Sequence, residues 1–428
     1  MIIFHTMTAP HVQQAARALH EGGLLRRYVT GLREKPEALS QRIACAGARL
    51  CGYDLATQLR RRAVTEVPHE LVEDHPWGEL LRLCTGRIDR SGRLADLVWE
   101  RTEAAFDRAV ARQLQPNVRG VYGYEYSARH TFERARALGI PTIYETPSPE
   151  PRFVQSILDR EVGRFPELQS PFYHHTAARE EARIAYRRLE WHAADLVIAN
   201  SRFTRDSFAR AGLDTAKVSV IPLGAPPPVT LDQTRAGGTA GAGPVRFLWA
   251  GTFSIRKGAH YLVDAWRLAG LGDAAHLEVF GSQALPAALV QSLPAGITIH
   301  APVPRPILMA RYQAADMLVF PTLCDGFGMV ATEAWSRGLP VLTTSHAGAS
   351  DLLRPEVNGL QVPAGDAAAL AAALQWCVAH REEIGAMRVA ARETAQRWQW
   401  ADYRLALAST VQSFLAKSTI ARARRPAT

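Results

Sequence analysis

Short runs of consecutive apolar residues, separated by longer stretches in which apolar positions return every three or four residues, run through the whole chain. The runs fall at residues 2–4, 120–122, 142–144, 196–199 and 218–222, and again at 246–250, 277–280, 297–300, 317–320 and 341–343. Most carry no polar alternation, which is the form of a parallel strand buried on both faces. Residues 12–21, 128–138, 329–336 and 367–379 have helical spacing. Gly139 closes the second of these segments, and Asn200 and Ser201 supply a cap after the run at 196–199. The pattern predicts an α/β protein with two parallel sheets, the second of about six strands.

Between the two sets of runs lies a stretch rich in Pro, Gly and Ala, from Pro226 through AGGTAGAGP to Pro244. It reads as a linker over 225–244, which divides the chain into 1–224 and 245–400, with a helix over 402–415 and a basic tail beyond. A chain of 428 residues exceeds one ordinary core and accommodates two. Residues 32–112 are mainly helical in pattern and are expected to form an insertion beside the first sheet.

Charge and cysteine content narrow the partners. The net charge is +9, with arginine clusters at Arg26 and Arg27, Arg60 to Arg62 and Arg422 to Arg425. Such clusters suit acidic substrates or an anionic membrane face, and predict peripheral membrane association. They are not interleaved with stacking aromatics, so nucleic acid is not an expected partner. The five cysteines are odd in number and include no C-x-x-C pair, which argues for a reducing cytoplasm, at most the inner face of a membrane, and against a disulfide framework or zinc site. No 18-residue apolar run occurs, and the N-terminus lacks the form of a signal peptide.

The chemistry concentrates after the strands of the second half. In CDGFGMVATEAW the run at 317–320 is followed by Asp325, Gly326, Phe327 and Gly328, and then by a helix starting at Met329 that carries Glu333. A helix whose free amides and positive dipole end point beyond a strand's carboxyl end is a site for phosphate. If residues 325–333 were all helical, the two carboxylates would stand roughly 12 Å apart along the axis. That exceeds the about 5 to 9.5 Å of a glycosidase pair and suits one group at a sugar and the other at a ribose. WAGTFSIRKG places Gly251, Arg256 and Lys257 in a similar turn, where two cations can clamp a diphosphate. Gly281 follows another strand at the edge where open sheets bind ligands. No G-x-G-x-x-G or P-loop occurs, and His174, His175 and His192 lack metal-ligand spacing, so neither a cofactor nor a metal is expected.

VIANSRFT, VIPLG, AGTFSIRKG, EVFGS, the D-G-F-G-x4-E segment, GLPVLTTSHAGASDLL and NGLQVPAGD follow one another in an order that resembles the retaining GT-B glycosyltransferases of family four. The resemblance implies two Rossmann-like domains facing across a cleft, with a last helix crossing back. It implies that Arg256 and Lys257 contact a donor diphosphate, that Glu333 binds ribose hydroxyls, and that Phe327, Gly328 and Met329 offer backbone contacts to sugar and phosphate. Asp325 would hold the donor sugar, where the family usually has the longer Glu. The donor would be a nucleotide diphosphate sugar and the acceptor a glycan or glycolipid hydroxyl, in surface polysaccharide or glycolipid synthesis. Tyr124, Glu125, Glu145 and Thr146 would line the acceptor side, with His5 and His11 beside the first loop. HTMTAPHVQQ replaces the glycine pair usual after the first strand. A nucleotide-sugar epimerase or hydrolase, or a noncatalytic carbohydrate-binding protein, would share these motifs.

Overall fold

The computed structural model describes residues 1–50, 52–89, 91–168, 171–230 and 243–423, without the side chains of 171–174, 176, 177 and 421–423. Two wholly parallel sheets organise them. The first contains β1 (Ile2–His5), β2 (Arg27–Thr30), β3 (Val72–Asp74), β4 (Val121–Tyr124), β5 (Thr142–Thr146), β6 (Leu196–Ala199) and β7 (Val218–Val220), in the order β3-β2-β1-β4-β5-β6-β7. The second contains β8 (Val245–Ala250), β9 (Ala275–Phe280), β10 (Ile297–His300), β11 (Met317–Phe320), β12 (Val341–Thr344) and β13 (Gly359–Val362), in the order β10-β9-β8-β11-β12-β13. In both, the order reverses beside the first strand, between β1 and β4 and between β8 and β11. Doubly wound sheets bind ligands at such switch points.

The central strands are the apolar runs of the sequence, and their side chains are buried on both faces. Three strands go beyond those runs. RYVT, VED and GLQV mix polar with apolar residues, and two of them, β3 and β13, lie at sheet edges where one side needs no pairing. β3 also corrects the expectation for 32–112. That segment holds helices Leu39–Leu50, Leu55–Arg60, Pro76–Ile88 and Arg93–Arg112, but it contributes the first sheet's edge strand rather than standing wholly beside it.

The last helix, Trp400–Ala423, runs back to the first half and packs on helix Pro10–Glu21. Tyr403, Leu407, Val411 and Leu415 share one buried core with Ile3, Val12, Ala15 and Leu19. Arg404 pairs with Glu21 at 2.8 Å and donates to Gln14 at 2.8 Å. The outward and return passes of the chain touch: Ala225 N–H donates to the Trp398 carbonyl, and a Cβ on Gly224 would stand 2.4 Å from the Trp400 nitrogen. Of the expected linker, residues 231–242 lie outside the described residues, as do the side chains of Arg422 to Arg425.

The carboxyl edges of the two sheets face each other. Ser201, just beyond β6, donates its hydroxyl to the Gly326 carbonyl beyond β11 at 2.6 Å. Arg202 pairs with Asp351 at 3.1 Å, and the Phe203 ring stacks on His346 at 5.2 Å.

Candidate active site

Three turns at the carboxyl edge of the second sheet are tied together by backbone contacts that tolerate no Cβ. Beyond β8 the chain turns at Gly251, with φ 105°, and passes so close to the end of β9 that a Cβ on Gly281 would lie 2.0 Å from the Gly251 carbonyl oxygen. Thr252 and Ser282 share a hydroxyl contact of 3.0 Å there. With Phe280, Pro302, Val303 and Leu308 these residues line a cavity of about 260 Å³. The His300 ring stacks on Phe280 at 4.5 Å. Only Gly251 and Gly281 of this cavity were expected from sequence; the rest come from the end of β9, the turns after β8, β9 and β10, and the helix Arg305–Ala314, whose convergence no local pattern announces.

Arg256 and Lys257 occupy a single helical turn ended by Gly258, whose φ of 78° starts helix Ala259–Ala269. A Cβ on Gly258 would lie 2.0 Å from the Pro321 oxygen, so this turn sits directly on the chain leaving β11. Arg256 reinforces the junction: its guanidinium donates to the Cys324 carbonyl at 2.9 Å, and its own carbonyl accepts from Leu323 N–H at 3.0 Å. The Lys257 ammonium forms an ion pair with Asp325 and lies 5.0 Å from the centre of the Phe320 ring. Burial lowers the pKa of both cations. For Lys257 burial and the adjacent Arg256 charge push it to about 7, with Cys324 acting in the opposite direction.

Asp325 is extended rather than helical. It bridges to Ala347, donates its N–H to the His346 carbonyl at 3.0 Å, and receives Phe327 N–H on its side chain at 3.3 Å. Gly328, at φ 85° with its Cα against the Phe320 ring, starts helix Met329–Ser336. The axial separation reckoned for a continuous helix therefore does not apply to Asp325 and Glu333. Phe327 is buried and its carbonyl accepts from Ala349; Met329 is half-buried. Gly326, expected in the donor-side turn, faces the first half of the chain. Its carbonyl accepts from Ser201 and Thr204, and a Cβ would lie 1.9 Å from the Pro147 oxygen, so it is where the two halves touch.

Glu333 is nearly buried. Arg305 pairs with one carboxylate oxygen at 2.8 Å and the Tyr312 hydroxyl donates to the other at 3.2 Å. Burial pushes its pKa up and the Arg305 charge opposes that.

The opposite edge corrects the acceptor-side reading. Tyr124, Glu145 and Thr146 are buried strand residues. Tyr122 donates its hydroxyl to Glu145 at 2.6 Å, Tyr403 from the returning helix lies close by, and burial raises Glu145 to about 7. Glu125 faces inward too, paired with Arg187 at 2.5 Å and accepting from Thr146 and from Ser148 N–H. Together Glu125 and Thr146 hold the loop that meets Gly326. His5 and His11 pack edge-on to Tyr124, and burial lowers both, to about 3 and about 4. A strand-end rule located these residues at the correct edge but could not tell inward from outward side chains. It also missed Glu161, which joins the halves by accepting from Tyr261 at 2.7 Å and contacting His260 at 3.1 Å. Of the sequence's histidine group, His175 pairs with Asp96, and the His174 side chain lies outside the described residues. Among the described residues no three or more His, Cys, Asp or Glu stand together in a possible metal cluster.

Known proteins share this fold. The family model for Glycosyl transferases group 1 matches residues 244–380, and that for Glycosyltransferase Family 4 matches 94–227. The D-inositol 3-phosphate glycosyltransferase of Xylanimonas cellulosilytica is 29% identical over 229 residues, 49% of this chain and 54% of that protein. The one from Geodermatophilus obscurus is 36% identical over 99 residues, 23% of this chain and 21% of that protein. The chain thus spans about half the length of the first of these relatives and less of the second. Among solved structures, sucrose-phosphate synthase from Thermosynechococcus elongatus has a TM-score of 0.63 at 19% identity, covering 97% of this chain and 99% of that one. Anabaena HepE in complex with UDP-glucose has a TM-score of 0.58 at 17% identity, covering 96% and 99%. The fold is therefore GT-B, two Rossmann-like domains with facing parallel sheets. The two matched stretches reach into both sheets and together fill more than half of the chain, which carries domains of Glycosyl transferases group 1 and of Glycosyltransferase Family 4.

Proposed function

We propose that this protein is a glycosyltransferase that moves a sugar from a nucleotide diphosphate sugar to a hydroxyl of a glycan or glycolipid acceptor, with retention at the anomeric carbon. The observation that carries the reading is the junction of the β8 and β11 turns, where Arg256, Lys257, Asp325 and the Gly328 start of a helix converge at one switch point. The neighbouring cavity beyond β8 and β9, walled by Phe280 and Leu308 and edged by Thr252 and Ser282, fits a flat base with polar edges. The solved structure with UDP-glucose supports this donor class by fold.

In this reading a diphosphate oxygen takes the place of Asp325 as partner of Lys257, and the released carboxylate turns to the sugar hydroxyls. Glu333 exchanges Arg305 for the ribose. Family resemblance suggests front-side attack, in which the leaving diphosphate accepts the acceptor's proton. Arg256, Lys257 and the helix amides stabilise the charge that grows on it, and contact between the domains keeps water from the donor. Surface polysaccharide or glycolipid synthesis is the process this chemistry would serve.

Release of nucleoside diphosphate from a panel of donors, with and without acceptor hydroxyls, tests the proposal. Acceptor-dependent release that is lost in Glu333→Ala supports it. Isomerised free donor would mark an epimerase, and absence of release with every donor would leave a binding protein.

A further inference from the structure

Helix Leu39–Leu50 is amphipathic but turned the wrong way for a globular protein. Among its residues none is buried. The side that touches the protein carries Gln41, Cys45 and Ala48; Gln41 accepts from Lys35 N–H at 2.7 Å and donates to the Arg33 carbonyl at 2.8 Å. Leu39, Ile43, Ala46 and Leu50, spaced i, i+4, i+7 and i+11, fall within about 60° of one another around the axis. They point outward, with Leu39, Ile43 and Leu50 at 67%, 63% and 91% exposure. Helix Pro76–Ile88 repeats the spacing: Trp77, Leu81, Cys84 and Ile88 are all exposed, Trp77 at 80% and Ile88 at 77%. Its protein side holds the buried polar residues Glu79 and Thr85. The two helices are neighbours, since Arg87 lies 5.0 Å over the ring of Tyr53, three residues beyond the first helix.

The charges exposed on the two helices themselves have one sign, with exposed Glu37 two residues before the first. Exposed Arg42 and Arg49 flank the first and exposed Arg87 the second, and Leu39–Leu50 contains no acid. Glu79, the one acid of the second helix, is buried against Arg62 and Arg82. Nearby Asp54 and Asp89 are committed to the starts of helices, accepting from Thr57 N–H and from Leu94 and Ala95 N–H. A second copy of the chain meeting this face across a two-fold axis would bring arginine against arginine. A phospholipid bilayer of anionic headgroups receives the same face without conflict, with Trp77 at the interfacial level and the arginines among the phosphates. No helix among the described residues is long and apolar enough to cross a membrane.

We infer that the face formed by helices Leu39–Leu50 and Pro76–Ile88 docks the protein onto an anionic bilayer, which would bring a membrane-held acceptor to the first domain. The inference stands on these two stripes and does not depend on the donor site. Vesicle flotation tests it, using phosphatidylcholine alone and phosphatidylcholine with phosphatidylglycerol. The protein should float with the mixed vesicles and remain behind with the neutral ones. Leu39→Ser, Ile43→Ser and Leu50→Ser combined should abolish flotation. Because these side chains already face solvent, the circular dichroism spectrum and the thermal shift given by nucleoside diphosphates should not change. Arg42→Gln with Arg49→Gln should weaken partitioning about thirtyfold, at about fivefold per arginine near an anionic surface. Absence of flotation with the mixed vesicles, or flotation unchanged in the triple variant, overturns the inference. So does a wild-type dimer that the triple variant converts to monomer with no vesicle binding, which would assign the stripes to a second copy.

Discussion

The two facing sheet edges are built on opposite principles. At the edge of β8, β9 and β11 the chain turns on Gly251, Gly258, Gly281 and Gly328, and the backbones approach until no Cβ fits at Gly258 and Gly281. Charged side chains there are held by few partners: Lys257 by Asp325, Glu333 by Arg305 and Tyr312. At the edge of β4 and β5 the polar groups turn inward, with Glu145 under Tyr122 and Glu125 against Arg187. In the proposed function the first edge exchanges an internal partner for a ligand; the second fixes the loop that meets it. Acidic residues at a strand end are thus not equivalent, and what separates them is where the side chain points.

The largest expected effect lies on the exchangeable edge. Lys257→Ala should lower turnover by about 10²- to 10³-fold, as removal of one donor to a growing negative charge does elsewhere, with far-ultraviolet circular dichroism unchanged. Turnover within twofold of the wild type would erase the contrast between the edges.

Glu145 sharpens the other side of the comparison. Its folded pKa of about 7 lies above the ordinary 4.5, so the folded protein holds a proton there that the unfolded chain has lost. The stability this supplies is complete below pH 4.5 and declines as pH rises through 7, by about 3 kcal/mol over the window. Glu145→Gln should remove that part of the pH dependence, measured by denaturant melts between pH 4.5 and 8. An unchanged slope would mean that Glu145 is not protonated in its buried site.

Gly326→Ala tests the contact between the edges. A methyl at 1.9 Å from the Pro147 oxygen must push the halves apart, so the variant should lose about 1 to 3 kcal/mol of stability, as overpacking does, and should also lose turnover. The smallest effect belongs to Arg305→Ala. The Arg305 side chain is half exposed, so losing its bridge to Glu333 should change stability by less than about 1 kcal/mol in a thermal melt.

The edge of β8, β9 and β11 was legible because its signals are local. Apolar runs, the glycines after them, and Arg256, Lys257, Asp325 and Glu333 all lie within a few residues of a strand end, and helix Ala367–Ala379 was located to the residue. The inward edge was not, because Tyr122, Glu145 and Tyr403 come from β4, β5 and the returning helix, and only the packed core brings them together. Strands β2, β3 and β13 escaped for a related reason: RYVT, VED and GLQV are set by their neighbours rather than by an apolar run. The outward stripe of Leu39–Leu50 was likewise hidden, since spacing predicts a helix but not which way it faces.

In the proposed function Arg256 and Lys257 are the phosphate-holding pair. Isothermal titration of nucleoside diphosphates into the wild-type protein and into Arg256→Ala with Lys257→Ala measures this directly. Two charge-assisted contacts of about 1.5 kcal/mol or more each predict a Kd at least about 100-fold higher in the double variant. An equal Kd in both proteins, or no nucleoside diphosphate bound by the wild type, would contradict it.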